Sequence, residues 1–224
     1  MAPPSTPRKQ KAFIDKLLAW YGKTARDLPW RSTRNPYAIL VSEFMLQQTQ
    51  VSRVVEYFPR FMARFPTIDA LARARPKAVM EQWDGLGYYA RARNLHALAR
   101  VVSKTRNGTL SDKPEELQEL PGVGRYTAGA VACFAYEKPV PTVDTNVKRV
   151  LQRVFAAADV WDFATKLTPK NGKRAWKLNQ AMMELGALVC TARQPNCPEC
   201  PVRSDCLAVR AAERIRSPRS ARPR

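Results

Sequence analysis

Histidine is almost missing from this chain: His96 is the only one in 224 residues. With no second imidazole, and with Arg91, Arg93 and Asn94 just before it, His96 is not expected to ligate a metal or to form half of a catalytic pair. Carboxylates are scarce as well, with 19 Asp and Glu against 38 Lys and Arg and a formal net charge of +19. That imbalance suits a polyanionic partner, nucleic acid first and an anionic membrane surface second. Long apolar runs are absent, because charges interrupt every stretch well before the ~18 residues that a membrane-spanning helix needs. The opening Met1-Ala2-Pro3-Pro4 lacks the apolar core of a signal peptide, so a cytoplasmic, nucleoid-associated protein is expected. Strand-like alternation is nearly absent, and no internal repeat is found. Five cysteines are an odd number, and a reducing compartment disfavours a disulfide framework.

What remains is a chain able to fold. Its hydrophobic content is 45% and its aromatic content 9%, which excludes a disordered polymer. Its length fits one domain or two small interleaved lobes. Residues 1–10, rich in Pro, Ser and basic side chains, read as a loose basic arm. Residues 207–224 carry six arginines and read as a basic tail.

Between these ends the apolar period is helical throughout. Asn35-Pro36 is a helix-start signal, and Tyr37, Leu40, Val41, Phe44 and Met45 follow at helical spacing. Asp112 with Glu115 resembles a capping box around Pro114. Asp144 precedes the stripe Val147, Val150, Leu151, Val154. The fold class expected is all-α, with about ten helices joined by short loops.

Cys190, Cys197, Cys200 and Cys206 stand at the spacing C-x6-C-x2-C-x5-C, within 17 residues. Four thiolates so close in sequence can ligate one metal centre. Structural zinc more often uses two separated pairs, and four thiolates also hold a cubane iron–sulfur cluster; ligand chemistry alone leaves both open. Cys133, in an apolar run, reads as a small buried hydrophobe.

Two glycine sites point to nucleic acid. Leu120-Pro121-Gly122-Val123-Gly124 lies between helical segments. Both glycines permit positive φ, and unshielded N–H groups followed by a helix N-terminus suit a phosphate, with Arg125 adding charge. The run from Gly85 to Asn94 interleaves Tyr88 and Tyr89 with Arg91 and Arg93, a mixture suited to base stacking and phosphate contact.

Two carboxylates occupy opposite settings. Glu43 lies in a segment apolar nearly all round, so it should be buried, where the neutral acid is favoured. Asp144 is expected at a helix N-terminus, where N–H donors and the dipole favour its anion. One neutral and one ionised carboxyl are what acid-assisted cleavage of a glycosidic bond needs. In a basic protein the substrate would be a nucleoside flipped out of DNA. Gln47, Gln48, Thr49 and Gln50, directly after the buried stretch, are placed to fill the gap or read base edges.

These segments, together with Leu28-Pro29-Trp30-Arg31 and Val143–Val150, resemble the helix-hairpin-helix DNA glycosylase superfamily, and within it the MutY-type adenine DNA glycosylases. The resemblance covers about residues 12–206. It implies a monofunctional enzyme of base excision repair that hydrolyses the bond to adenine mispaired with 8-oxoguanine or guanine in double-stranded DNA, acting as a monomer. Glu43 would protonate adenine, and Asp144 would stabilise the sugar cation and assist the water. Gln48 and Tyr88 would insert into the stack, with Gln47, Gly122, Gly124, Arg125, Tyr126, Asn146 and Lys148 as further pocket or DNA contacts. The four cysteines would hold a [4Fe–4S] cluster. Two helical lobes would flank a DNA-binding cleft: a six-helix barrel over 28–149, and a cluster lobe from 11–27 with 150–206.

Tyr126 stands where bifunctional relatives carry a nucleophilic lysine, and a phenol forms no Schiff base; Lys148 would give at most a trace of strand cleavage. Thr145 departs from the glycine usual in the adenine branch, and only 18 residues follow Cys206 where full-length relatives continue into a lesion-recognition domain. Two other readings stand beside the first: a thymine or uracil glycosylase acting opposite guanine, and a non-catalytic iron–sulfur DNA-binding protein.

Overall fold

The computed structural model describes residues 6–216, and among these there are twelve α-helices, three short 3₁₀ turns and no strand. The all-α expectation therefore holds. No helix of the described residues is long and apolar enough to cross a membrane. The chain divides into two compact units, one of residues 26–142 and one made of the N-terminal segment to Ala25 with Val143 onward. The helix begun by Asp144 packs with the C-terminal segments, because its apolar stripe faces them.

The continuous unit holds α2 (Pro36–Leu46), α3 (Val51–Arg64), α4 (Ile68–Arg73), α5 (Pro76–Trp83), α6 (Ala90–Thr105), α7 (Pro114–Gln118) and α8 (Arg125–Tyr136). Asn35 starts α2 as expected, its Oδ1 accepting from the Tyr37 and Ala38 N–H groups at 2.9 and 3.2 Å. From Tyr37 to Met45 every residue of α2 is buried. That helix packs against α8, α3 and α6 and forms the centre of the unit, around the fully buried Phe44, Phe61, Phe65 and Trp83. Burying side chains of this size contributes about 1.5–3 kcal/mol each. The capping box expected at Asp112 does not form. Lys113 occupies the N-cap of α7 without a side-chain cap bond, and the Asp112 carboxylate instead pairs with Lys138.

The second unit holds α1 (Pro7–Thr24), α9 (Thr145–Phe155), α10 (Val160–Leu167), α11 (Gly172–Leu188), a cysteine-bearing loop with two 3₁₀ turns, and α12 (Leu207–Arg216). Val147, Val150, Leu151 and Val154 are all buried, and they meet Phe13 and Leu17 of α1 and Leu178, Met182 and Leu185 of α11. Leu117 apart, α7 and α12 contribute little of the large core. Two expected loose ends are helical in part. Thr6 caps α1 with Pro7 in its first turn, a start signal that outweighs the polar composition of residues 1–10. Leu207–Arg216 is also a helix, packed against α9. The remainder of the arm and tail, 1–5 and 217–224, lies outside the described residues.

Candidate functional site

Glu43 sits two-thirds along α2 and is only 5% exposed. Its neighbours in the helix are buried on every side, so the carboxyl is surrounded by the core, and its Oε2 is sealed from solvent. Beyond the last turn, Gln47 is the C-cap of α2, and Gln48 takes the left-handed conformation at φ 55°. Tyr88, in the turn before α6, is left-handed too, at φ 47°, and is 61% exposed. Gln47, Gln48, Tyr88 and Tyr89 line one open cavity of about 490 Å³ together with Arg91 and Arg93. The structure thus brings together residues from two sequence segments that the sequence suggested separately. Arg91 is the correction: it is not a surface cation but a 7% exposed one, and its guanidinium is occupied by backbone carbonyls.

The hairpin joins α7 to α8. Gly122 is left-handed at φ 76°, and a Cβ there would stand 2.8 Å from Asn94 Cβ and 3.1 Å from Phe44 Cε1, so both conformation and space demand glycine. Gly124 does not share this need. It has φ −90° as the N-cap of α8, in extended backbone, with nothing within 4 Å of an added Cβ. Its use is exposure: Gly122, Gly124 and Arg125 all face solvent at the start of a twelve-residue helix. Pro121 follows the end of α7 at Gln118 rather than causing it. Tyr126 is half-buried on the first turn of α8.

Asp144 is the N-cap of α9, with Oδ1 accepting from the Val147 N–H at 2.7 Å. Its other oxygen accepts from Asn146 Nδ2 at 2.8 Å. Asn146, expected as a DNA contact, is therefore tied to the carboxylate. On its far side Asn146 Oδ1 accepts from Arg149 at 2.7 Å, and the same guanidinium donates to the Gly186 carbonyl at 2.7 Å and the Cys190 carbonyl at 2.7 Å. A continuous chain of hydrogen bonds thus runs from Asp144 to the first cysteine of the loop. Gly186 permits it: a Cβ there would lie 2.5 Å from Asn146 Cβ. Sequence reading missed Arg149 and Gly186; the i, i+3 relation of Asn146 and Arg149 on one helix was the available signal. Lys148 is exposed on α9.

Cys190, Cys197, Cys200 and Cys206 are free thiols, and all four line one cavity of about 440 Å³. Cys197 opens a 3₁₀ turn that Cys200 caps, the Cys200 N–H bonding back to the Cys197 carbonyl at 3.3 Å. Arg153 donates to Cys190 Sγ at 3.4 Å and to the Thr191 carbonyl at 2.7 Å, and its own carbonyl accepts from Cys206 Sγ. Burial raises the Cys200 thiol to about 11 and also raises Cys206, so a cationic centre would relieve what burial costs the thiolates. Among the described residues, no group of three or more His, Cys, Asp or Glu side chains converges to hold a single metal ion. The thiols border the cavity instead. An all-sulfur donor set around a space of that size fits a polynuclear cluster. Cys133 is fully buried in α8, away from this set in sequence, as a small hydrophobe.

The helical fold and the glycine hairpin at the head of α8 place the chain among helix-hairpin-helix proteins. Residues 41–176 match the HhH-GPD superfamily of base excision DNA repair proteins, and the chain belongs to that superfamily. Among curated proteins it is similar to the adenine DNA glycosylase of Rattus norvegicus, 45% identical over 216 residues that cover 88% of this chain and 42% of that protein. It is also 48% identical to the adenine DNA glycosylase of Mycobacterium tuberculosis over 195 residues, covering 83% of this chain and 64% of the relative. The chain therefore spans about half the length of these relatives. Among solved structures it resembles a thermostable thymine-DNA glycosylase, with a TM-score of 0.85 at 29% identity over 91% of this chain and 98% of that one. A non-covalent endonuclease III–DNA complex gives a TM-score of 0.81 at 26% identity, covering 94% and 99%.

Proposed function

We propose that this chain is a monofunctional DNA glycosylase that hydrolyses the N-glycosidic bond of adenine mispaired with 8-oxoguanine or guanine, acting as a monomer on double-stranded DNA. The observation that carries the reading is the pair of carboxylates in opposite settings: Glu43 buried within an apolar helix, and Asp144 held by the N-terminus of α9 and by Asn146. Adenine glycosylases from a mammal and a bacterium, at 45% and 48% identity, support the choice of base.

The chemistry assigned to each residue follows from its setting. Burial favours the protonated form of Glu43, which gives its proton to the leaving adenine. The C–N bond then breaks with its electron pair going to the base. The Asp144 anion stabilises the cationic sugar, and water adds at the sugar carbon, its surplus proton passing to Asp144. Tyr126, on the hairpin helix, cannot form an imine with the sugar, so strand cleavage is not part of the reaction. Gly122, Gly124 and Arg125 hold a phosphate, while Gln48 and Tyr88 enter the stack. Gln47, beside the cavity, and the exposed Lys148 add contacts to the nucleotide and to phosphate. Cys190, Cys197, Cys200 and Cys206 would hold a [4Fe–4S] cluster, which supplies structure to the loop. Iron and sulfide in stoichiometric amounts with a visible absorbance band are the expected result; a colourless zinc protein would refute the assignment.

A second reading has its own observation: the chain covers 98% of a thymine-DNA glycosylase of similar fold. One assay separates the readings. Duplexes carrying A:8-oxoguanine, A:G, T:G, U:G and hypoxanthine pairs are offered to the protein and treated with alkali to reveal abasic sites. Release of adenine alone is expected. Release of thymine or uracil but not adenine would establish the second reading, and binding without any release would mark a non-catalytic DNA-binding protein.

A further inference from the structure

α2 ends with its last carbonyls turned away from any further helix, the usual situation at a helix C-terminus. Here they are not left to water. Arg91, the second residue of the neighbouring α6, donates from Nη1 to the carbonyls of Phe44 at 3.0 Å, Met45 at 2.7 Å and Gln47. Its other terminal nitrogen donates to the carbonyls of Leu86 at 3.1 Å and Gly87 at 3.0 Å. The guanidinium carbon also lies 5.4 Å from the Trp83 ring centroid and 5.5 Å from that of Tyr88. One planar fork thus joins the end of α2 to the 86–88 turn, and each of these segments carries a left-handed, exposed, non-glycine residue: Gln48 and Tyr88. Positive φ at such residues is disfavoured and persists only where the surroundings impose it. The negative end of the α2 dipole and six carbonyls, the sixth that of Tyr88 at 3.4 Å from Nε, are what make a buried cation tolerable at this place.

We propose that Arg91 is the positioning residue that presets Gln48 and Tyr88 as a two-pronged wedge before DNA arrives. The inference rests on the reading of this cavity as the place where the protein enters the stack. Preset prongs need no ordering at the moment of binding, so the interaction goes into unstacking the target nucleotide instead. Arg91 touches no reacting atom. Its effect is confined to extrusion of the base and does not extend to bond cleavage afterwards. Lysine keeps the charge but has no planar fork with which to reach both segments at once.

The test compares Arg91→Lys with the unmodified protein on two substrates in single turnover, adenine stacked in an A:8-oxoguanine pair and adenine already extrahelical in a bulge. A loss of about tenfold or more on the stacked substrate, with the bulged one within about twofold, is expected, a factor of ten being the effect of one lost hydrogen bond of moderate strength. Equal losses on both would show a merely structural role, and no loss on either would show no role; each overturns the proposal. A second readout is independent of chemistry: 2-aminopurine beside the mismatch should brighten on binding to an Asp144→Asn protein and stay dim with Asp144→Asn/Arg91→Lys. Should the unmodified protein release no base from any duplex, brightening that Arg91→Lys abolishes would sink the glycosylase reading while supporting this one. Should Arg91→Lys fail to fold, amide exchange in the unmodified, DNA-free protein decides. Slow exchange at Leu86 and Arg91, whose N–H groups bond to the Trp83 and Tyr88 carbonyls, is expected, and exchange at the rate of an open loop would overturn the preset wedge.

Discussion

The two units hold their carboxylates in contrasting ways. In the 26–142 unit, Glu43 is kept by packing: a helix buried on all sides leaves the carboxyl inside the core. In the unit that contains α9, Asp144 is kept by directed bonds, from a backbone N–H and from Asn146, which Arg149 anchors in turn. Packing is indifferent to orientation but removes water, which favours a neutral acid. Directed hydrogen bonds fix orientation as well. The difference teaches that one fold can fix a carboxyl in two ways, by closing a helix around it or by orienting it with directed bonds.

Substitutions that respect shape test whether that contrast is the source of activity. Glu43→Gln preserves volume and removes the proton donor. Base release is expected to fall by about 10²–10⁴, with the melting temperature unchanged or raised, since an amide is the easier group to bury. A full-rate Gln variant in single-turnover assays would remove Glu43 from the chemistry. Asp144→Asn retains a good N-cap, so α9 and DNA binding should persist while turnover falls by about 10²–10³; unchanged turnover would show that the charge is not needed. Gly186→Ala probes the directed-bond side alone. With its added carbon 2.5 Å from Asn146 Cβ, it is expected to destabilise by about 1–3 kcal/mol and to slow release by about 10–100-fold through a displaced Asn146. Equal melting curves and rates would mean that α9 and α11 separate freely there. The smallest effect is expected far from either device. Lys166→Ala breaks an exposed pair with Asp162 on α10 and should shift stability by less than about 0.5 kcal/mol in denaturant titrations.

Much of this was legible in the sequence because local signals and burial agree. Asn35-Pro36 begins α2, Asp144 caps α9, and the stripe from Val147 to Val154 is core, each through a pattern confined to one helix. The misreadings share another cause. Asp112 looked like a cap, but a lysine 26 positions later claims it. Arg91 read as a phosphate contact among tyrosines, and only the spatial approach of α2 supplies the carbonyls that bury it. Gly124 and Gly122 looked alike, although what separates them is a neighbour, Asn94, from a different helix. Gly186 gave no signal at all, since its requirement comes from α9.

One topological fact bears on how the molecule is made. The Lys16 ammonium bonds to Asp205 at 2.7 Å across 189 residues of chain, and α1 packs on α11. During synthesis α1 leaves the ribosome well before α9 and α11, whose buried side chains share its cluster. Until those helices follow, Phe13 and Leu17 wait without Leu178, Met182 and Leu185, which share their cluster. Contacts of this sequence separation are slow to form. The vulnerable interval for a nascent chain is therefore set by the time between the first helix and the eleventh, and a synonymous slowing of translation after residue 142 would lengthen it.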